Sequence, residues 1–377
     1  MPTRKRNKRN NKTRKITSKA SLPKKGKTPI IISKSIKSLP RNKSIKKIDI
    51  TFDQKNEKSY SPSINKKLEE LISKSPDVTL YECPEGKIYI ENKKEEEECA
   101  EWNSDEAKLA MLKNIRSKKI DISYIVGPKQ VASNCWFNCF FMVFFISDKG
   151  RKFFRYLRES MVKGVLPSGK IIPPELHKAF FYLNRYIDGT LLSYKDEEFF
   201  ASNMNTNVLI QKISKELLKK WSKIKLHNNK GNPLNYYKRI IDYLQESTIS
   251  ICELDEKLAD KQSLGVFYKQ HDKYPDIIVS TLTENFANIN KKIIISIGKK
   301  KYKLDSVVLR DNMGKHFSCF ITMKNKPRCF DGMSYSAVKK CRWKKYINKN
   351  EDFVHKKNLF DFNFTKGMQI LFYYRIK

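Results

Sequence analysis

From residue 136 to about 248, apolar side chains recur at spacings of three and four. That period predicts helices over 151–163, 175–187, 205–224 and 234–246. After about residue 275 the period falls to two. Ile277–Leu282, Ile293–Ile297, Tyr302–Leu309, Phe317–Met323 and Ile370–Tyr374 therefore read as strands. Gly298, Gly314, Asn325-Lys326-Pro327 and Gly332 mark the turns between them. A helical front half followed by an antiparallel back half predicts an α+β domain with segregated lobes. The cleft between two such lobes is a common place for chemistry.

Ahead of this region the pattern is weaker. Leu68, Leu71 and Ile72 suggest a short amphipathic helix over 61–77. Val78, Leu80, Tyr81, Ile88, Tyr89 and Ile90 suggest a hairpin with Pro84-Glu85-Gly86 at its turn. An acidic run, Glu95–Glu98, is expected to separate this hairpin from Trp102 and a helix near 105–116. The expected organisation is a basic tail over 1–75, an extension over 76–120 and a main domain over 121–377.

Composition sharpens the boundary. Aromatic residues make up 12% of the chain, enough for a sizeable core once the polar N-terminus is set aside. The formal charge is +37, and the first 48 residues contain 18 Lys or Arg and no acid, which leaves +19 for the other 329. Such a segment buries too little apolar area to offset its ordering entropy, so it is expected to be disordered. It would serve as a solubilising tail, a nuclear-import signal (Arg4-Lys5-Arg6, Lys8-Arg9, Arg14-Lys15) or an electrostatic anchor on nucleic acid or acidic lipid. No stretch approaches the roughly 20 apolar residues that span a bilayer. The charged N-terminus is followed by no apolar core, unlike a secretory signal.

Eight cysteines lie at 83, 99, 135, 139, 252, 319, 329 and 341, with no CxxC pair to suggest structural zinc. Without a secretory signal the thiols are expected to be reduced and the protein intracellular. No metal or cofactor is implied.

The most informative segment is Gln130-Val-Ala-Ser-Asn134-Cys135-Trp136-Phe137-Asn138-Cys139, where a polar loop runs into an apolar helix with Cys135 at the junction. Unpaired N–H groups at a helix start favour a thiolate and stabilise the oxyanion of acyl transfer. Gln130, five residues earlier, is placed to turn its amide toward that oxygen. A buried structural cysteine gives the same local pattern, and Cys139 suits that description. Of the five histidines only His316 lies at a turn-to-strand boundary in the strand-rich half. A turn near Asn325 would bring Asp331 beside it, to fix the imidazole tautomer as the third member of a triad does. His177, His227, His271 and His355 read as surface or capping residues.

Together these segments resemble the ubiquitin-specific proteases, a papain-like family of cysteine peptidases that remove ubiquitin. The resemblance is carried by Asn134-Cys135-Trp136-Phe137-Asn138, by Tyr302–Leu309 followed by Gly314-Lys315-His316-Phe317, by Arg328-Cys329-Phe330-Asp331-Gly332, and by Ile370-Leu371-Phe372-Tyr373-Tyr374. The four boxes occur in family order over residues 124–376. The departures are Lys315 where the family has Gly, Phe317 for Tyr, Gln130 for Asn, and no zinc-finger cysteine pairs. The Lys/Asn/Ile-rich composition also looks like that of divergent homologues in large DNA viruses, which would place the protein in host cytoplasm, nucleus or virion.

The resemblance implies a papain-like peptidase fold, Cys135 as nucleophile, His316 as base, Asp331 as its orienting acid and Gln130 at the oxyanion. Its substrate would be ubiquitin or a ubiquitin-like C-terminal tail, or else a viral precursor. A reading from another class is a basic nucleic-acid-binding or virion structural protein on a degenerate peptidase fold. The tail's charge would then supply non-specific affinity for phosphates.

Overall fold

The structure, a computed structural model, describes residues 78–79, 86–91, 97–116, 120, 125–128, 130, 134–192, 206–218, 234–244, 249–333, 338–354 and 360–376. The basic tail, the helix expected over 61–77, and Pro84-Glu85 lie outside the described residues.

Three strands, β1 (Val78–Thr79), β2 (Lys87–Glu91) and β3 (Glu97–Glu101), form an antiparallel sheet, with Val78 opposite Ile90. Glu97 and Glu98, expected to separate the hairpin from Trp102 and the helix after it, are part of β3. Among the described residues that strand pairs on one side only, where charge is tolerated. Cys99 in β3 is disulfide-bonded, contrary to the expectation of reduced thiols throughout; the six cysteines from Cys135 onward form no disulfide. Helix α1 (Asp105–Arg116) starts where Ser104 Oγ accepts from Ala107 N–H at 3.1 Å, and it buries Ala107, Ala110, Met111 and Ile115.

The helical layer comprises α2 (Cys135–Phe141), α3 (Asp148–Phe153), α4 (Arg155–Lys163), α5 (Pro174–Leu192), α6 (Thr206–Leu218) and α7 (Leu234–Leu244). A π turn, Met142–Ile146, continues α2, and every residue from Phe137 to Ile146 is buried. A helix that is apolar all round belongs between two layers. This one lies between the other helices and the main sheet.

That sheet has the order β10-β9-β8-β7-β13-β5-β4, with β6 also paired to β7. Its strands are β4 (Ile251–Asp255), β5 (Ile277–Leu282), β6 (Ile294–Ile297), β7 (Lys300–Arg310), β8 (Phe317–Met323), β9 (Lys326–Phe330), β10 (Lys339–Lys340) and β13 (Gln369–Arg375). Two further short strands, β11 (Phe353–Val354) and β12 (Asp361–Phe362), pair with each other. All pairings in the main sheet are antiparallel except β4 with β5. The strands after residue 275 pair antiparallel with one another, as expected; β4, which precedes them and carries no predicted strand, adds the parallel pair. The helix α8 (Lys261–His271) supplies the crossover that a parallel pair needs.

The sheet is buried on both faces because successive residues point to opposite sides. On β13, Ile370, Phe372 and Tyr374 meet the helical layer, while Leu371 and Tyr373 meet a second core with Leu264, Trp343 and Phe364. The architecture is α+β. No described helix is long and apolar enough to cross a membrane.

Candidate active site

The Cys135 end of α2 is held by side chains rather than by a conventional cap. Asn134 stands at the cap position but its side chain makes no capping bond. Its Nδ2 instead donates to Thr206 Oγ1 at 2.7 Å, and that hydroxyl donates to Asn138 Oδ1 at 2.8 Å. Asn138 Nδ2 then donates to the Pro128 carbonyl at 3.2 Å. All three side chains are buried, so a network this fully partnered holds the start of α2 in one position. Cys135 is itself buried at 9% exposure. Cys139, one turn deeper, is pushed well above the usual thiol pKa by burial and then by contact with Cys319, which leaves it a neutral core thiol.

His316 and Asp331 come from the same end of the β8–β9 hairpin. Its two-residue turn, Lys324-Asn325, has positive φ at both positions, the geometry that matches strand twist. The Asp148 carboxylate accepts from both turn N–H groups at 2.8 Å. It lies on the helical layer directly after the α2 segment, so it ties the far end of the hairpin to the helices that carry Cys135. At the near end, Cys319 pairs with Phe330, which brings the residues just before β8 and just after β9 together.

There His316 Nε2 meets Asp331 Oδ1 at 2.8 Å, and the same oxygen accepts from Met333 N–H at 2.9 Å. The imidazole is 1% exposed and stacks on Phe360 with ring centroids 4.8 Å apart. Its other nitrogen, Nδ1, closes no hydrogen bond of good geometry, yet Cys135 lies near enough to act on the ring. Burial opposes the charged imidazole, but the Asp331 hydrogen bond and then Cys135 outweigh it and lift the pKa to about 9.

The two lobes meet beside this pair. Gln130 N–H donates to the Gly332 carbonyl at 3.1 Å, and Val338 N–H to the Ile125 carbonyl at 2.9 Å. Gly127 allows the approach, because a Cβ there would stand 2.4 Å from the Phe330 ring. The structure therefore gathers Cys135, His316, Asp331 and the Gln130 backbone at one joint. The Gln130 side chain is half-buried there.

Among the other histidines, His177 is half-buried and sits as a cap at the last turn of α4. Its Nε2 lies 3.1 Å from the Val162 carbonyl and its ring packs edge-on against Trp102. His271 is exposed at the end of α8, where a basic residue suits the helix dipole. His227 and His355 lie outside the described residues. Among the described residues no group of three or more His, Cys, Asp or Glu is arranged to hold a metal ion.

Sequence reasoning missed Thr206, Phe360 and Asp311. Only Asp311 carries a local signal, since Asp before Asn-Met-Gly reads as a turn built on a side-chain carboxylate.

No family model matches the chain, and no curated protein matches its sequence. Solved structures are similar at low level. A SAGA Ubp8/Sgf11/Sus1/Sgf73 DUB module has TM-score 0.37 and 12% identity over 78% of each chain. The same module bound to ubiquitin aldehyde has TM-score 0.39 and 11% identity over 78% of this chain and 81% of that one. An essential yeast splicing factor scores 0.37 with 11% identity over 77% of this chain and 83% of that one. Likenesses this weak, divided between a deubiquitinating module and a splicing factor, assign no activity.

Proposed function

We propose that this chain is a papain-like cysteine peptidase that cleaves the C-terminal tail of ubiquitin or a ubiquitin-like protein. The single observation that carries the reading is the buried His316 imidazole, bound through Nε2 to Asp331 at 2.8 Å with its other nitrogen left for Cys135. A structural histidine would have little need of a dedicated buried acid and a buried thiol together. The Cys-box and His-box resemblance supports the substrate class.

In this mechanism Cys135 attacks the scissile carbonyl as a thiolate, its proton resting on His316 Nδ1. The tetrahedral oxyanion is held by backbone N–H groups at the start of α2 and by the Gln130 amide. The carbon–nitrogen bond breaks as Nδ1 gives its proton to the leaving amine, and a thioester remains on Cys135. An imidazole lifted to about 9 carries that proton at neutral pH. Water then attacks the thioester, giving its proton to Nδ1, and the free carboxyl product leaves as the thiol returns. Asp331 keeps the ring in the orientation that serves both steps.

The experiment is hydrolysis of fluorogenic C-terminal amides of ubiquitin and of ubiquitin-like modifiers by the full chain. Release from one of them, lost in C135A, is the expected result. Release unaffected by C135A would refute the assignment.

A further inference from the structure

The positive charge that lies outside the basic N-terminus is concentrated in one stretch. Residues 291–349 contain 17 Lys or Arg and three acids, a net +14 that makes up most of the +19 carried by residues 49–377. All three acids are buried and already engaged. Asp331 holds His316, and Asp311, just after β7, accepts from the backbone N–H groups of Met313, Lys315 and His316. Asp305, on β7, accepts from Ser306 Oγ at 2.8 Å. What this stretch turns to solvent is therefore cationic, with no acid of its own to offset it.

Strand pairing gathers these cations at the end of the main sheet away from His316. In the β8–β9 hairpin Cys319 pairs with Phe330 beside the His316–Asp331 pair, whereas Met323 pairs with Lys326 at the opposite end, where Lys324 stands in the turn. The start of β7 reaches the same end. Thr322 Oγ1 donates to the Asp305 carbonyl at 2.8 Å, so Lys303 and Lys301 lie two and four residues further out on β7, and Lys324 two residues further out past β8. The short helical turn Trp343–Lys345 joins them, because Lys344 Nζ donates to the same Thr322 hydroxyl at 3.0 Å. Helix α3 adds Lys149 and Lys152 from the helical layer. Burial, against the pull of Asp305, lowers the Lys149 pKa to about 8, and Lys152 and Lys303 push the same way. Burial and then Lys303 also lower that of Lys344, again against Asp305. Lys303 thus stands near cations of both layers. Lys301, Lys324, Lys326 and Lys345 are exposed around it. Of the acids that approach from outside the stretch, Asp148 holds the two turn N–H groups and lies 3.6 Å from Arg151, and Glu351 pairs with Lys349 at 3.2 Å.

We propose that this end of the sheet is a second binding surface, separate from the Cys135 site, which takes the phosphate backbone of a nucleic-acid duplex. Closely spaced lysines suit a ligand whose negative charges are as closely spaced, and a duplex carries one per about 1.7 Å of its axis. A single strand is gripped by aromatic platforms on which its bases stack. Among the described residues of the stretch the exposed aromatic ring is Tyr346, and Lys349 lies over it at 5.7 Å. A membrane surface is gripped by a broad apolar face beside the charges. Here Ile294, opposite Lys303, is the large aliphatic side chain exposed within the patch.

The test measures binding of the full chain to a short random-sequence DNA duplex at several salt concentrations. It compares wild type with K301E/K326E/K345E and K301Q/K326Q/K345Q, all at exposed positions. The basic N-terminal segment is present in every protein, so the comparison isolates the patch. Each phosphate contact contributes about 0.9 to the slope of log affinity against log salt, so the slope should become shallower by about 2–3 in both variants. The Glu variant should lose more affinity than the Gln variant. Alkylation of Cys135 by iodoacetamide should keep its wild-type rate, because the patch and His316 lie at opposite ends of the hairpin. If the Glu variant melts lower than wild type, the Gln variant, which adds no acid, decides. Equal affinity and slope in wild type and the Gln variant overturn the proposal. It is also overturned if the variants keep duplex binding and lose only binding to phosphatidylserine vesicles, or if wild type binds a single strand of the same length more tightly than the duplex.

Discussion

Replacing Thr206 by Val removes one hydroxyl from beneath the proposed nucleophile and changes little else. The side chain is fully buried, and valine keeps its shape and its branching at Cβ. The lost hydroxyl accepts from Asn134 Nδ2 at 2.7 Å and donates to Asn138 Oδ1 at 2.8 Å. T206V therefore strands one buried acceptor and deprives a buried amide of a partner. Each such loss costs about 1–3 kcal/mol, so the two together predict a destabilisation of about 2–6 kcal/mol. Melting temperature falls by roughly 2–4 °C per kcal/mol in a domain of this scale, which predicts a drop of about 4–24 °C. T206S keeps the hydroxyl and loses one methyl, for about 0.8 kcal/mol. Thermal melts of the three proteins measure this, and iodoacetamide alkylation of Cys135 shows whether the α2 start has moved. T206V within about 0.5 kcal/mol of wild type, or T206S as damaging as T206V, would refute the claim that this network sets the site.

His316→Ala is expected to lose roughly 10²–10⁴-fold in kcat, the usual worth of a positioned acid–base group. Asp331→Asn should lose less, because its amide oxygen still accepts from His316 and from Met333 N–H; equal losses with unchanged circular dichroism would contradict the assigned roles. The His316 pKa, lifted from 6.5 to about 9, gives a pH-dependent stability whose sign is fixed. The folded state binds the proton more tightly, so the contribution is complete below about pH 6.5 and is lost as pH rises through about 9. It amounts to about 3 kcal/mol, read as the denaturant stability of wild type at about pH 6.5 minus that at about pH 9.5, less the same difference in His316→Gln. A wild-type slope that the variant retains would assign it to other groups.

Much of the site was legible because its signals are local. The apolar run after Cys135, the lone histidine at a turn-to-strand boundary, and the fifteen-residue step from His316 to Asp331 together specify a hairpin whose open end meets a helix start. The strands β5, β7, β8 and β13 match their alternating patterns, shifted by at most two residues. What escaped depends on distant partners. Thr206 lies 72 residues from Asn134 and carries no motif. β4 and α8 escaped because Ile251–Asp255 is short and acidic and α8 contains Gly265, so neither shows a strong period. Glu97 and Glu98 look like a linker, yet pairing with β2 makes them strand.

The central claim is that Cys135 is a nucleophile activated by His316. Reaction of the full-length protein with a ubiquitin C-terminal vinyl electrophile, followed by peptide mass spectrometry, tests it most directly. A single adduct on Cys135, absent in C135A, slowed in H316A and retained in C139A, is the predicted result. An adduct on Cys139 or another thiol that persists in C135A, or no adduct at all, would contradict it.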